Sequence, residues 1–252
     1  MNTIAIIQAR MGSTRLPGKT MLPLDGKHVI ERDIERVSRA ESITETVVAT
    51  SELTADDILD RYAERSGATV YRGSETDVLG RMYEAATAAT ADIIVRITGD
   101  CPLVSPRGID AVVERLQNAD ADYASNTLKR TLPRGLDVEA FTYETFKTVE
   151  RRATARDERE HVTLHYRRNR DDFDIVNVTD SETFDTKLLY GRNDLRLTLD
   201  EADDYELLRR VYENVASDSH LAIEDAVAYI DQEGLSNLNR GVSQKKPDNS
   251  DT

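Results

Sequence analysis

Short apolar runs alternate with stretches of helical periodicity along much of the chain. The runs are rich in valine, isoleucine and leucine and are bounded by polar residues, which is typical of buried strands. They lie at residues 3–8, 46–50, 68–71, 93–97, 138–141, 174–178 and 195–199. Strands that alternate with amphipathic helices predict an α/β fold, with a Rossmann-like, mostly parallel mixed sheet and helices on both faces.

Apolar side chains three and four residues apart predict the helices between these strands. Ser105-Pro106 opens one of them, since serine is a favoured N-cap and proline a favoured first helical residue. Thr54 and Asp57 have the spacing of a capping box in front of another. The apolar stripes are Ile58, Leu59, Tyr62 and Ala63; Ile109, Val112, Val113 and Leu116; and Leu208, Val211, Tyr212 and Val215.

Two parts of the chain depart from this alternation. Residues 126–190 are less regular. We expect there a small antiparallel arm that covers the functional site of the protein or meets a partner subunit. Residues 236–252 are polar and have no apolar stripe, which predicts disorder. The expected organisation is a single domain over residues 1–235, followed by a disordered tail.

The composition argues against several functional classes. The net charge of −14 argues against general nucleic-acid binding, because the phosphates would be repelled. The single cysteine, Cys101, excludes an internal disulfide and a multi-cysteine zinc site. No apolar run approaches the length of a membrane span and no signal-peptide pattern is present, so we expect a cytoplasmic protein without a membrane partner.

Acidic side chains are spread along the whole chain, and arginine outnumbers lysine 26 to 7. A dense acidic surface repels itself unless dissolved ions screen the repulsion. The pattern therefore predicts a halophilic protein from a high-salt host.

The segment after the first predicted strand has the chemistry of a triphosphate-binding loop. It runs Gln8-Ala9-Arg10-Met11-Gly12-Ser13-Thr14-Arg15-Leu16-Pro17-Gly18-Lys19. Its glycines allow close backbone approach, its hydroxyls and N–H groups are donors, and its two arginines and one lysine supply three cations. Five residues separate Gly12 from Gly18 where a Walker A loop has four, which excludes a P-loop ATPase. The alternative interpretation is a solvated surface loop with incidental cations.

This loop closely resembles the opening signature of the cytidylyltransferase family, which includes the KDO and acylneuraminate cytidylyltransferases. The resemblance is closest to the branch of the spore coat polysaccharide biosynthesis protein F (SpsF). Further blocks follow in that branch's order: Val48-Ala49-Thr50-Ser51, Arg72-Gly73-Ser74-Glu75-Thr76-Asp77-Val78-Leu79, Arg96-Ile97-Thr98-Gly99-Asp100-Cys101-Pro102-Leu103, Gly135-Leu136-Asp137-Val138-Glu139 and Arg159-Glu160-His161-Val162-Thr163. The resemblance implies the fold of the nucleotide-diphospho-sugar transferases, which is similar to that of GT-A glycosyltransferases.

Two aspartates are candidate magnesium ligands. Asp100 and Asp200 each follow a predicted strand and would face the same sheet edge as the loop. Magnesium needs few carboxylates when phosphate oxygens and waters complete its shell. The resemblance assigns both residues to the metal. The alternatives remain a helix cap for Asp200 and a turn aspartate for Asp100.

The resemblance also implies the remaining site residues. We expect Arg15, Lys19 and Asp100 to act in catalysis. The expected nucleotide-binding residues are Gln8, Ala9, Arg10, Gly12, Ser13, Thr14, Arg15, Lys19, Thr50, Ser51, Arg96 and Thr98. The expected acceptor-binding residues are Arg134, Asp137, Glu139 and His161. A surface Arg–Asp pair and a structural histidine are the alternatives for this last group, and a metal pair of His161 with His165 is rejected for want of a third ligand.

The function that follows is magnesium-dependent transfer of a nucleotidyl group, CMP from CTP, to a sugar or sugar acid, with release of pyrophosphate. Such a reaction would serve surface polysaccharide biosynthesis. The resemblance also implies a homodimer, since a dimer is typical of the related enzymes. A glycosyltransferase, or a nucleotidyltransferase that uses another nucleoside triphosphate, is the alternative on the same fold. A non-catalytic nucleotide-binding protein is a further alternative, although Arg15, Lys19, Asp100 and Asp200 are all present.

Overall fold

A seven-stranded mixed sheet forms the centre of the structure, a computed structural model that describes residues 1–215 and 221–243. The strands in chain order are β1 Thr3–Gln8, β2 Pro23–Leu24, β3 Lys27–His28, β4 Glu45–Ser51, β5 Thr69–Gly73, β6 Ile93–Thr98, β7 Tyr123–Ser125, β8 Glu139–Thr142 and β9 Ile175–Asn177. The order across the main sheet is β5-β4-β1-β6-β8-β7-β9, while β2 and β3 form a separate antiparallel pair.

The helices occupy the connections between the strands. They are α1 Val29–Val37, α2 Asp57–Arg65, α3 Val78–Ala88, α4 Pro106–Asn118, α5 Tyr143–Arg152, α6 Arg156–Glu160, α7 Leu164–Arg168, α8 Asp180–Thr183, α9 Ala202–Val215 and α10 Ile223–Glu233. At the predicted start of α4, the Ser105 hydroxyl accepts a hydrogen bond from the Gly108 N–H, as expected for an N-cap. None of the described helices is long and apolar enough to cross a bilayer.

Four parallel strands, β1, β4, β5 and β6, have their carboxyl ends at the same edge of the sheet. β1 pairs in parallel with β4 and with β6, and β4 pairs in parallel with β5. β8 is antiparallel to both β6 and β7, so the sheet is mixed as predicted. Loops that leave the parallel strands therefore meet at the edge where open α/β sheets bind ligands.

Helices cover both faces of the sheet because side chains alternate along each strand. In β1, Ala5 and Ile7 belong to the core cluster that contains residues of α1, α2 and α4. Ile4 and Ile6 belong to the opposite cluster, with residues of α3, α5 and α7. A third apolar cluster joins α9 and α10 to the leucines of the segment 195–199.

Two local predictions are wrong. Residues 195–199 form no strand, since only an isolated bridge links Arg196 to Arg134. Their alternating leucines are buried against α9 and α10. The alternation of apolar and polar residues here therefore reflects burial and not hydrogen-bonded pairing with another strand. The capping box also fails, because Thr54 starts a short 3₁₀ turn, Thr54–Asp56, and α2 begins only at Asp57.

The less regular parts of the chain are more ordered than the sequence indicates. Within residues 126–190, β8 and β9 are part of the main sheet, and the small antiparallel pair lies instead at β2 and β3. The tail predicted to be disordered from residue 236 begins in a 3₁₀ turn, Leu235–Asn237, and Asn239 is only 3% exposed. Residues 244–252 of that tail lie outside the described residues.

Candidate active site

A cleft of about 390 Å³ lies at the sheet edge where β1 and β6 end. Three chain segments form most of it: the loop after β1, the turn after β6 and the turn before α9. Among its lining residues are eleven that the sequence singled out: Gln8, Ala9, Arg10, Gly12, Ser13, Thr14, Arg15, Lys19, Thr98, Asp100 and Asp200. The fold therefore brings the cationic loop and both candidate metal ligands to one place.

Lys19 joins the two aspartates at the floor of this cleft. Its ammonium nitrogen lies 2.6 Å from Asp100 Oδ2 and 3.0 Å from Asp200 Oδ1. Arg15 contacts the same oxygen of Asp200 through Nη2 at 2.8 Å and reaches Glu201 at 3.3 Å. Two carboxylates from distant segments thus share one cation.

These contacts shift the protonation equilibria toward the charged forms. Burial would lower the pKa of Lys19, but the charges of Asp100 and Asp200 outweigh burial and raise it. Burial would likewise raise the pKa of Asp200, but the charge and hydrogen bond of Lys19, with contributions from Arg196 and Arg15, lower it. At neutral pH Lys19 is protonated and Asp200 is ionised.

A glycine lets the end of β6 approach the loop. The Gly99 N–H donates to the Gln8 carbonyl at 2.8 Å. A Cβ at this position would lie 2.8 Å from the Ala9 Cβ and 3.3 Å from its Cα, closer than side chains pack. The sequence Thr98-Gly99-Asp100 therefore places the carboxylate beside the first loop without a clash.

Arg96 and Glu139 lie behind the cleft and contact each other. The Glu139 carboxylate, 4% exposed, pairs with Arg96 and also accepts from Tyr123, Thr163 and Arg167. Burial would raise the pKa of Glu139, but the two guanidinium charges and these hydrogen bonds lower it to about 2. The Glu139 oxygens are thus engaged by four neighbouring residues, and its expected contact with the acceptor stays a prediction.

Arg96 instead supports a cleft residue. Its Nη2 donates to Gln8 Oε1 at 3.1 Å, while its Nη1 is held by Glu139. Arg96 does not line the cleft, and its expected role in nucleotide binding stays a prediction. An arginine only donates hydrogen bonds, so this contact fixes which way the Gln8 amide points.

Thr50 and Ser51 also lie behind the loop, and neither side chain is exposed. The Ser51 hydroxyl donates to Asp56, whose other carboxylate oxygen accepts from the Met11 N–H at 2.7 Å. The expected contact of this segment with the nucleotide stays a prediction. Ser51 and Asp56 hold the loop after β1 from behind.

The other expected acceptor residues do not line the cleft. Asp137 pairs through both oxygens with Arg130, at 2.6 and 2.8 Å, and Arg134 is half-buried beside them. His161 is exposed and immediately follows α6. His165 is buried and contacts Glu158 at 3.2 Å, and no group of three metal-ligating side chains forms in the described part of the chain.

Cys101 fills space next to Asp100. Burial, together with the charges of Asp100 and Asp137, raises the pKa of its thiol well above the ordinary value. A thiol held in this way is a weak nucleophile.

Sequence reasoning missed four residues that line the cleft: Thr20, Gly99, Arg81 and Glu160. Arg81 is the most informative, because it is 1% exposed and donates to the Ser74 carbonyl at 2.6 Å. It lies on α3 among Val78, Leu79 and Met82, which are all buried. An arginine within an apolar helix stripe is the signal that could have identified it.

The model of the cytidylyltransferase family matches residues 4–227 of the chain. A protein of Methanocaldococcus jannaschii of uncharacterised function is 33% identical over 249 residues, 97% of each chain. The spore coat polysaccharide biosynthesis protein SpsF of Bacillus subtilis is 30% identical over 238 residues, which cover 92% of this chain and 95% of SpsF. The 3-deoxy-manno-octulosonate cytidylyltransferase 2 of Hydrogenovibrio crunogenus is 36% identical over 127 residues, about half of each chain.

The comparison with solved structures leads to the same family. A cytidylyltransferase from Leptospira borgpetersenii superposes with a TM-score of 0.85 at 30% identity, covering 98% of this chain and all of its own. A CMP:2-keto-3-deoxy-manno-octonic acid synthetase in complex with CTP shares the fold, with a TM-score of 0.64 at 18% identity over 84% of this chain and 99% of its own. The chain described here belongs to the cytidylyltransferase family of nucleotidyltransferases.

Proposed function

We propose that this enzyme transfers the CMP group of CTP to a sugar or sugar acid and releases pyrophosphate. The observation that carries the proposal is the single cleft in which Arg15, Lys19, Asp100 and Asp200 converge. The names of the relatives support CTP as the nucleotide and a sugar or sugar acid as the acceptor. They include 3-deoxy-manno-octulosonate cytidylyltransferases and a spore coat polysaccharide biosynthesis protein.

The chain's own residues have distinct roles in such a transfer. An acceptor oxygen attacks the α-phosphorus in line, and the bond to the leaving pyrophosphate breaks, so positioning and charge neutralisation are the main requirements. Arg15 and Lys19 would neutralise the β- and γ-phosphates. Gly12, Ser13 and Thr14 line the same cleft. The Ser13 N–H already donates to the Met11 carbonyl, so the N–H groups of Gly12 and Thr14 are the ones that would donate to phosphate oxygens.

Asp100 and Asp200 are the residues that would hold a magnesium ion. They fit it because both carboxylates already surround one cation, the Lys19 ammonium, and both are hard oxygen ligands. Bound magnesium would neutralise charge on the triphosphate. Lys19 has a flexible stem and three donors, so it can turn from the carboxylates to phosphate oxygens within the same cleft.

Replacing Asp100 with asparagine tests the proposal. We expect Asp100→Asn to release pyrophosphate at least about a hundredfold more slowly than the wild type with an unchanged melting temperature, since even outer-shell changes cost roughly 10–100-fold. Asp185→Asn, at an exposed carboxylate outside the cleft, is the matched control. Pyrophosphate release is followed with CTP and a panel of nonulosonic acids and sugar phosphates, at magnesium concentrations from zero upward.

Three results would contradict the proposal. Near-normal turnover of Asp100→Asn would remove the carboxylate from the mechanism. Turnover with another triphosphate but not with CTP would favour a different nucleotidyltransferase. Consumption of a nucleotide sugar without pyrophosphate release would favour a glycosyltransferase.

A further inference from the structure

The Asp204 carboxylate is fully buried at the start of α9 and accepts hydrogen bonds from four residues. Its Oδ1 accepts from Arg196 Nε at 2.8 Å and from Asn239 Nδ2 at 2.9 Å. Its Oδ2 accepts from the N–H groups of Asp200 and Glu201 at 2.9 and 3.0 Å, and from Arg196 Nη2 at 3.1 Å. A carboxylate bonded in this way is held in one orientation.

This network determines the orientation of Asp200. The Asp200 backbone is fixed by Asp204, and its Oδ2 accepts from Arg196 Nη2 at 2.7 Å. Its Oδ1 is then the oxygen that faces Lys19 and Arg15 in the cleft, at 3.0 and 2.8 Å. Arg196 and Asp204 thus set which oxygen of Asp200 is available to a cation.

Asn239 connects the C-terminal segment, residues 235–243, to this network. Its side-chain amide donates to Asp204 Oδ1 and also to the Arg196 carbonyl, both at 2.9 Å. The last described residue of the segment, Ser243, accepts through its carbonyl from Arg15 Nη1 at 3.5 Å. The segment therefore contacts both the support of Asp200 and a cation of the loop.

We propose that Asn239 is a positioning residue for Asp200, and that residues 235–243 complete the active site. The inference rests on the proposed function, because it concerns the same carboxylate. Loss of the Asn239 amide removes one donor from the buried Asp204 and leaves the Arg196 carbonyl without this bond. An unmade buried hydrogen bond is relieved by movement of its partners, and the affected side chain here is the one that would bind the metal.

The test measures how much a metal ion tightens nucleotide binding, with no acceptor present so that no transfer occurs. CTP is titrated by calorimetry into the full chain, once in EDTA and once with MnCl₂. For Asn239→Leu and Asn239→Ser we expect CTP binding in EDTA to be unchanged and the tightening by manganese to fall roughly tenfold or more. Asn118→Ala is the control, since Asn118 is exposed at the end of α4, outside the cleft, and its side chain donates to Glu114.

Asp200→Asn separates the two hypotheses. The positioning role is wrong and the proposed function stands under three joint results. Manganese tightens CTP binding to the wild type, Asp200→Asn abolishes this tightening, and both Asn239 variants keep it. If the wild type shows no tightening, or Asp200→Asn retains it, the proposed function itself fails.

Melting curves complete the test. If Asn239→Leu does not melt cooperatively, Asn239→Ser alone is compared with the wild type. Loss of cooperative melting in both variants would assign Asn239 to general stability and overturn the proposal. A chain that ends at residue 243 is expected to behave as the wild type, whereas one that ends at residue 234 is expected to lose the tightening by manganese. Full tightening in the shorter chain would also overturn the proposal.

Discussion

Asp33 is buried on α1, and neither of its carboxyl oxygens has a hydrogen-bond partner among the described residues. Burial, together with the charge of Asp100, raises its pKa well above the ordinary value, while Lys19 and Arg36 act in the opposite direction. The folded protein therefore keeps a proton on this carboxyl at pH values where the unfolded chain, with a pKa of about 3.9, has lost it. A buried acid of this kind destabilises the fold increasingly as the pH rises.

We expect Asp33→Asn to remove this pH-dependent cost. The folded state binds more protons than the unfolded state above about pH 4, so the contribution of Asp33 to stability falls as pH rises toward its folded pKa. Urea unfolding of both proteins at pH 5 and pH 8 should show a difference in favour of the variant that grows with pH. The lowered pKa values of Glu139 and Asp200 act in a more acidic range and leave this comparison unaffected. An equal difference at both pH values would show that Asp33 is ionised in the fold.

At the scale of elements, the turn before β8 packs against the segment that leads to Asp200. The Arg134 N–H donates to the Leu195 carbonyl, and the Leu197 N–H donates to the Arg134 carbonyl. Gly135 makes this approach possible with a φ of +97°, because a Cβ there would lie 2.4 Å from the Leu197 carbonyl carbon. The position of Asp200 thus depends on a glycine 65 residues earlier in the chain.

Gly135→Ala should therefore destabilise the protein by more than the cost of placing alanine at a positive φ. Gly191→Ala is the matched control, since Gly191 has a φ of +66° and open space around its Cβ position. The control is expected to cost about 1–2 kcal/mol, the ordinary penalty of the left-handed region. We expect Gly135→Ala to exceed that cost in urea unfolding and to slow pyrophosphate release. Equal costs for the two variants would mean that the 197–198 backbone shifts without strain.

At the scale of the whole molecule, net charge opposes the compact state. The chain carries a charge of −14, and many of its ion pairs, such as Arg209 with Glu213, are on the surface. Surface pairs each contribute roughly 0–1 kcal/mol, so we expect repulsion among the excess acids to dominate at low salt.

The melting temperature should accordingly rise as KCl increases from about 0.1 to 1 M, over which the Debye length falls from about 10 to 3 Å. Sucrose at matched osmolality is the control, because it is excluded from the protein surface without screening charge. A melting temperature that falls with KCl, or that rises equally in sucrose, would contradict the predicted halophilic behaviour.

The sequence by itself determined the parts of this protein that depend on short-range order. β1 runs from Thr3 to Gln8 as predicted, and β4 and β6 extend their predicted runs by one or two residues, because apolar periodicity reports burial of local segments. The cationic loop and Asp100 follow those strands directly, so their position at the sheet edge follows from the strands themselves.

Only the tertiary structure decided how side chains from distant segments pair. Arg96 with Glu139 and Asp204 with Asn239 are pairs whose members lie 43 and 35 residues apart, and each pair gives a buried polar group its partner. Thr50 and Ser51 became inaccessible for the same reason, since neighbouring elements cover them. A local pattern shows that a residue is polar or apolar, but burial and hydrogen-bond partners depend on which distant segments the fold brings into contact.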